Sequence, residues 1–284
     1  MATISIKNST LTAQINTLGA ELFSLKNNQN REYIWEANPN YWGKHSPILF
    51  PIVGTLKDNF FEHEGQRYTL ARHGFARELP FEVVKKEENS VTFSLCATPE
   101  TLKKYPFDFE LQLSYTLIGS ALHLGYRVIN NANTLMPFSI GGHPAFALPK
   151  SFESYKLAFN NSNTLTYNLL ENGLLTNETK TIEISNNQLK LQYPLFEKDA
   201  LVFKQIISKK VTLLEENKPL LEVKFDDFPS LGIWTLANAP FICIEPWFGY
   251  SDTASNSGKI LEKEGIQLVQ SKESFQANYT ITVL

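Results

Sequence analysis

A run of alternating apolar and polar residues, with Phe109, Leu111, Leu113, Tyr115 and Leu117 on one side, is followed at once by a second with Leu122, Leu124, Tyr126 and Val128; Gly119-Ser120 lies between them. A period of two places every second side chain on one face of a strand. A Gly-Ser pair between two such runs is a hairpin signal, because glycine tolerates the positive φ that tight hairpins require. The same period returns in Val91, Phe93 and Leu95. Ile182 and Ile184, then Leu189 and Leu191, flank the turn residues Asn186-Asn187, and Val211 and Leu213, then Leu221, Val223 and Phe225, flank Asn217-Lys218-Pro219. The chain closes on Phe275, Ala277, Tyr279, Ile281 and Val283, alternating again, and a strand is also expected over Tyr68 to Ala71. Only Pro99 to Lys104 and Ser257 to Glu264 offer a turn or two of helix.

Many short strands with turn signals between them, and no alternation of strand with helix, predict an all-β fold of antiparallel sheets packed face to face, a large β-sandwich. Twenty Phe and eleven Tyr against two Met suit a core of that kind. No Gly-, Ser- or Pro-rich linker and no fixed-period repeat divides the chain, so residues 1–284 are expected to form one domain. The polar stretch from Asn160 to Asn177 reads as a long loop within it.

A net charge of −3 without long charge runs gives no footprint for nucleic acid or an anionic membrane. No segment approaches the roughly 18–20 apolar residues that cross a bilayer, and the first residues lack the blocks of a secretory signal. Cys96 and Cys243 stand far apart, without neighbours at metal-ligand or redox spacing. A cytoplasmic protein with two reduced thiols and no metal is the expectation. The sequence holds no dinucleotide fingerprint, phosphate-binding loop, nucleophile elbow or zinc-protease motif. The five histidines, at positions 45, 63, 73, 123 and 143, include no close pair in sequence, and His123 reads as a solvated strand residue.

Three segments carry chemistry. Arg72-His73-Gly74-Phe75-Ala76-Arg77 gathers hydrogen-bond donors suited to hydroxyl or phosphate oxygens, or else a surface turn whose arginines pair with carboxylates. In Ser139-Ile140-Gly141-Gly142-His143-Pro144-Ala145-Phe146, the glycines permit close backbone approach or an unusual φ. Pro144 holds His143 extended, which suits a histidine for acid–base work or for a purely structural place in a loop. In Phe241-Ile242-Cys243-Ile244-Glu245-Pro246-Trp247, a carboxylate ends an apolar strand. Such a group is costly to bury unless paired, by an arginine for instance, and burial raises its pKa toward the range useful to a general base. Trp247 offers a flat surface for the CH face of a sugar ring.

Taken in order with Asn16-Thr17-Leu18-Gly19-Ala20-Glu21-Leu22 and Ser46-Pro47-Ile48-Leu49-Phe50-Pro51-Ile52-Val53-Gly54, these segments resemble the aldose 1-epimerase (mutarotase) superfamily, most closely its LacX-type branch. The resemblance covers nearly the whole chain. It implies a galactose mutarotase-like β-sandwich and a cofactor-independent isomerase that interconverts the α and β anomers of an aldohexose. Glu245 is the implied base and His143 the implied acid, with His73 and Asp199 on the sugar. Many relatives carry an arginine shortly after the Phe-Pro segment, where this chain has Gly54-Thr55-Leu56-Lys57. Lys57 or Lys44 is the expected replacement, although lysine lacks the bidentate geometry of arginine. With Arg77, either lysine would also suit a hexose 6-phosphate. A free aldohexose, a hexose 6-phosphate under the same mechanism, and sugar binding without turnover are therefore the three readings. The partner in each is a small sugar or sugar phosphate.

Overall fold

The computed structural model describes residues 2–160 and 163–284. Two large sheets dominate. One has nine strands, with the Phe109–Ile118 and Ala121–Asn130 hairpin beside the C-terminal strand Ser274–Val283. The other has eight and is built around Phe241–Phe248, which lies between Ser230–Trp234 on one side and Ile140–Gly142 and Ala145–Ala147 on the other. Strand pairing within both is antiparallel. The fold is therefore the all-β sandwich that the alternation predicts.

The register shows why. Ala121 pairs with Ile118 and Asn130 with Phe109 around Gly119-Ser120, so Leu111, Leu113, Tyr115, Leu122, Leu124 and Val128 all turn to the buried face. A slip of one residue would turn that whole set to water. Those residues share one apolar cluster with Leu231, Ile233, Ile242 and Ile244 of the eight-stranded sheet, so the core lies between the two sheets. The opposite face of the Phe241–Phe248 strand is buried as well. Phe241 and Cys243 pack with Trp35, while Trp247 joins Leu49, Val53 and Tyr250. This explains why the strand reads as apolar nearly throughout: side chains on both of its faces are buried.

One expectation is corrected. The stretch from Asn160 to Asn177 is not a long loop, although Asn161 and Ser162 lie outside the described residues. It contains the strand Thr164–Glu171 and the start of Leu174–Glu183, joined by Asn172-Gly173, both at positive φ. An Asn-Gly pair is the strongest short hairpin signal, and here polar strand residues at the sheet edge masked it. The strand expected at Tyr68 to Ala71 runs from Gln66 to Thr69. Helix is confined to short turns, among them Pro99–Leu102 and the 3-10 turn Ile260–Glu262.

Candidate active site

On the outer face of the eight-stranded sheet, opposite the core, lies a cleft of about 780 Å³. Glu245 and His143 form part of its floor. Glu245 leaves the central strand on the same side as Cys243 and Trp247, two residues away in each direction. Gly141 and Gly142 belong to the neighbouring strand. Neither takes an unusual φ; both are places of close approach. A Cβ on Gly141 would sit 2.5 Å from the Trp247 ring, and one on Gly142 2.7 Å from the Tyr279 hydroxyl. On the other side, a Cβ on Gly232 would meet the far edge of the same indole at 2.4 Å. Trp247 thus lies flat across both neighbouring strands, and glycine is what allows it.

His143 is held by aromatic packing. Its ring stacks on Trp42 at 4.8 Å between centroids and meets Trp234 edge-on at 5.7 Å. Nδ1 is buried with no aligned hydrogen-bond partner among the described residues, so the indoles, rather than a polar neighbour, orient the imidazole. Nε2 lies 3.2 Å from Glu245 Oε2. The two groups therefore stand side by side on one floor and not across a hollow from each other. Burial drives their proton affinities apart. It lowers His143 to about 3, with Arg72 and Arg77 adding to the effect. It raises Glu245 well above the usual carboxylate range; Asp199 pushes the same way, and Arg72 and the Trp247 indole pull back. The pair is neutral, with its proton favoured on the carboxyl.

The segment Arg72–Arg77 forms the adjoining wall. His73 takes a left-handed backbone conformation, φ 69°, rare for a residue with a side chain. The strain is held by Gly54. The His73 amide donates to the Gly54 carbonyl at 2.8 Å, and the Gly54 amide donates to His73 Nδ1 at 3.0 Å. Two donors face the ring, the Gly54 amide at Nδ1 and Arg72 Nε at 3.3 Å from Nε2; a neutral imidazole accepts at one nitrogen only, and the shorter Gly54 contact assigns the lone pair to Nδ1 and the proton to Nε2. Burial, reinforced by His143 and the two arginines, keeps the ring neutral. The rings of His73 and His143 are 5.7 Å apart, a pairing that a separation of 70 positions in the sequence conceals.

Asp199 also lines the cleft with a left-handed backbone, φ 75°. Its carboxylate takes both ends of the Arg72 guanidinium at 3.2 and 3.3 Å. Arg72 therefore stands where a lysine was expected. Lys57 does not line the cleft: its ammonium donates to the Asn256 carbonyl at 3.3 Å. Lys44 is likewise elsewhere, 3.0 Å from Glu78. Arg77 reaches the cleft and donates to the Arg72 carbonyl at 2.9 Å, bracing the turn that carries Arg72 and His73. The structure thus brings Glu245, His143, His73, Arg77 and Asp199 to one place and leaves Lys57 outside it; Arg72, which the sequence offers as a donor or a carboxylate partner, joins them as a carboxylate partner, and Trp42 and Trp234 are residues that the sequence does not single out. The signal for the last two was available: three of the chain's four tryptophans line this cleft.

A buried carboxyl and imidazole in contact, beneath a cleft lined by hydrogen-bond donors and indoles, thus sit on a large antiparallel sandwich. The chain belongs to the aldose 1-epimerase family, whose sequence pattern it matches over residues 2–267. It is 39% identical over 298 residues to the plasmid form of protein LacX from Lactococcus lactis subsp. lactis, with 99% of each chain covered. Its fold is similar to that of a galactose mutarotase related enzyme from Lactobacillus acidophilus, with a TM-score of 0.94 and 33% identity over 100% of this chain and 97% of that one. A galactose mutarotase-like protein from Lactobacillus casei is comparably similar, with a TM-score of 0.93 and 31% identity, each chain fully covered.

Proposed function

We propose that this protein is a cytoplasmic aldose 1-epimerase acting on a free aldohexose, with Glu245 and His143 as its acid–base pair. The observation that carries this reading is the 3.2 Å contact between Glu245 Oε2 and His143 Nε2 on the cleft floor. The anomeric hydroxyl and the ring oxygen of a pyranose are bonded to one carbon, so the two groups that serve them must be neighbours. Glu245 takes the hydroxyl proton while His143 gives one to the ring oxygen, the C1–O5 bond breaks, and an open-chain aldehyde forms. After rotation about C1–C2 the same two groups act in reverse on the other face of the carbonyl. Opening needs the shared proton on His143 and leaves it on Glu245; closing returns it. The pair holds one proton throughout, and no electrons or groups pass to a cofactor. Positioned acid–base groups of this kind contribute typically about 10²–10⁴-fold.

The donors of Arg72 and His73 and the carboxylate of Asp199 suit sugar hydroxyls, and Trp42, Trp234 and Trp247 supply apolar faces for the ring. A phosphorylated sugar is the less favoured substrate. Lys44 and Lys57 lie off the cleft, Arg72 is already paired with Asp199, and Glu197 adds a second negative charge to the lining. Polarimetry on freshly dissolved α-anomers tests this choice. Faster mutarotation of free hexoses than of their 6-phosphates supports the proposal, and the reverse order refutes it. Binding without faster anomer exchange would point to a sugar-binding protein.

A further inference from the structure

Cys243 has no part in the mechanism above, yet it lies beside the reacting pair. It leaves the central strand two residues before Glu245 and on the same face. Its sulfur, one carboxylate oxygen of Glu245 and one ring nitrogen of His143 all lie within 4.8 Å of one another, and all three residues are buried. Cys96, the other thiol, is exposed and lies outside this cluster. A second observation concerns the same place: apart from its unaligned 3.2 Å contact with His143, the buried Glu245 Oε2 has no hydrogen-bond partner among the described residues. A buried thiol, imidazole and carboxylate with unused lone pairs are three of the ligand types that bind zinc.

The geometry points to a second use of this floor: Cys243, His143 and Glu245 form a three-ligand site for a thiophilic divalent cation such as Zn²⁺, entered from the cleft, whose occupation shuts off the acid–base pair. Zinc bonds of about 2.0–2.3 Å set tetrahedral ligands roughly 3.3–3.8 Å apart, so closing the cluster onto an ion asks for about 1 Å of side-chain adjustment or less. His143 and Glu245 already stand at such a spacing. The fourth coordination position faces the cleft, where water or a sugar hydroxyl completes the shell. On binding, the thiol proton and the proton that Glu245 and His143 share both pass to solvent, and the lone pairs that would accept protons from the sugar are taken up by the metal. The ion is therefore an inhibitor and not a cofactor. Sequence spacing hides the site, because one ligand lies a hundred residues from the other two.

The inhibitory half of this inference rests on the proposed epimerase activity; the binding half does not. The test uses the full chain carrying Cys96→Ala, titrated with Co²⁺ as a spectroscopic stand-in for Zn²⁺. One ion per chain is expected, with a thiolate-to-cobalt charge-transfer band in the near ultraviolet. That band disappears in Cys243→Ala and in Cys243→Ser, the second of which keeps the side-chain volume should the first fold poorly. Zn²⁺ should slow anomer exchange, a chelator should restore it, and either Cys243 variant should keep the basal rate while needing about tenfold more Zn²⁺ or higher for the same inhibition. No thiolate band, or equal Zn²⁺ sensitivity with and without the Cys243 thiol, overturns the site. Should the parent protein fail to accelerate anomer exchange, the epimerase reading falls and the cobalt spectrum still decides the metal site.

Discussion

Glu245 and His143 touch at 3.2 Å, and the same dry surroundings that raise the proton affinity of one lower that of the other. At neutral pH these surroundings keep the pair as a neutral carboxyl and a neutral imidazole, so the state that opens the ring, with the proton on His143, is reached only by moving that proton uphill. The arrangement has a cost in stability. Above the unfolded pKa of a glutamate, about 4.3, the unfolded chain releases a proton that folded Glu245 keeps, so stability falls as pH rises from there toward the folded value. Glu245→Gln removes that penalty. At pH 7 the variant should be more stable than the parent by about 1 kcal/mol or more, roughly 2–4 °C in Tm, measured by calorimetry. A destabilised variant would mean that the carboxylate is paired in the folded protein.

The histidines act in the opposite pH direction. His73 and His143 are held neutral by burial, with folded values below 6.5, and for His143 about 3. Below about pH 6.5 the unfolded chain binds protons that the folded chain refuses, so stability is lost on acidification from there down to the folded values. Each such histidine contributes a slope of about 1.4 kcal/mol per pH unit within its window. Urea unfolding at pH 7, 6 and 5 should show this decline, and His143→Asn should reduce it.

Arg72 and Arg77, rather than Lys57, are the cations that line the cleft. Arg72→Lys keeps the charge and loses the two-pronged hold on Asp199, so KM for the sugar should rise by about tenfold, the order of one charge-assisted hydrogen bond. Arg72 also lowers the pKa of Glu245, so Arg72→Ala should move the acid limb of the kcat/KM profile to higher pH. Lys57→Ala should change kcat/KM by no more than about twofold. A large effect at Lys57 with none at Arg72 would contradict the placement.

Behind the cleft, Lys263 and Asp252 form a buried ion pair at 2.7 Å. Asp252 accepts the Lys57 amide and donates its own to the Thr55 carbonyl, while Ser251 Oγ accepts the Thr55 amide. This network fixes the loop whose Gly54 amide holds His73. Lys263→Met would strand a buried carboxylate and should cost about 3–5 kcal/mol in denaturant unfolding. A loss below about 1 kcal/mol would show that water reaches Asp252.

How much was legible in the sequence follows from what kind of signal each feature leaves. The Phe109–Asn130 hairpin was readable because one face is buried and the other is not. The Thr164–Glu183 hairpin was missed because its strands are mostly polar at a sheet edge. Glu245 and His143 betrayed themselves as a carboxylate in an apolar strand and an imidazole braced by Gly-Gly and Pro. Their contact, the His73–His143 pairing and the Arg72–Asp199 bridge depend on long-range register, which no local pattern encodes. Lys57 was drawn in by its position in the chain, whereas the cations that line the cleft come from the Arg72–Arg77 segment beyond the Phe60–Thr69 hairpin.

Anomer-exchange NMR on α-galactose and α-glucose with the parent protein, Glu245→Gln and His143→Asn tests the central claim most directly. The account predicts accelerated exchange with the parent, and a fall of about 10²–10⁴-fold in each variant while the folded structure is kept. Exchange at the parental rate in either well-folded variant would contradict it.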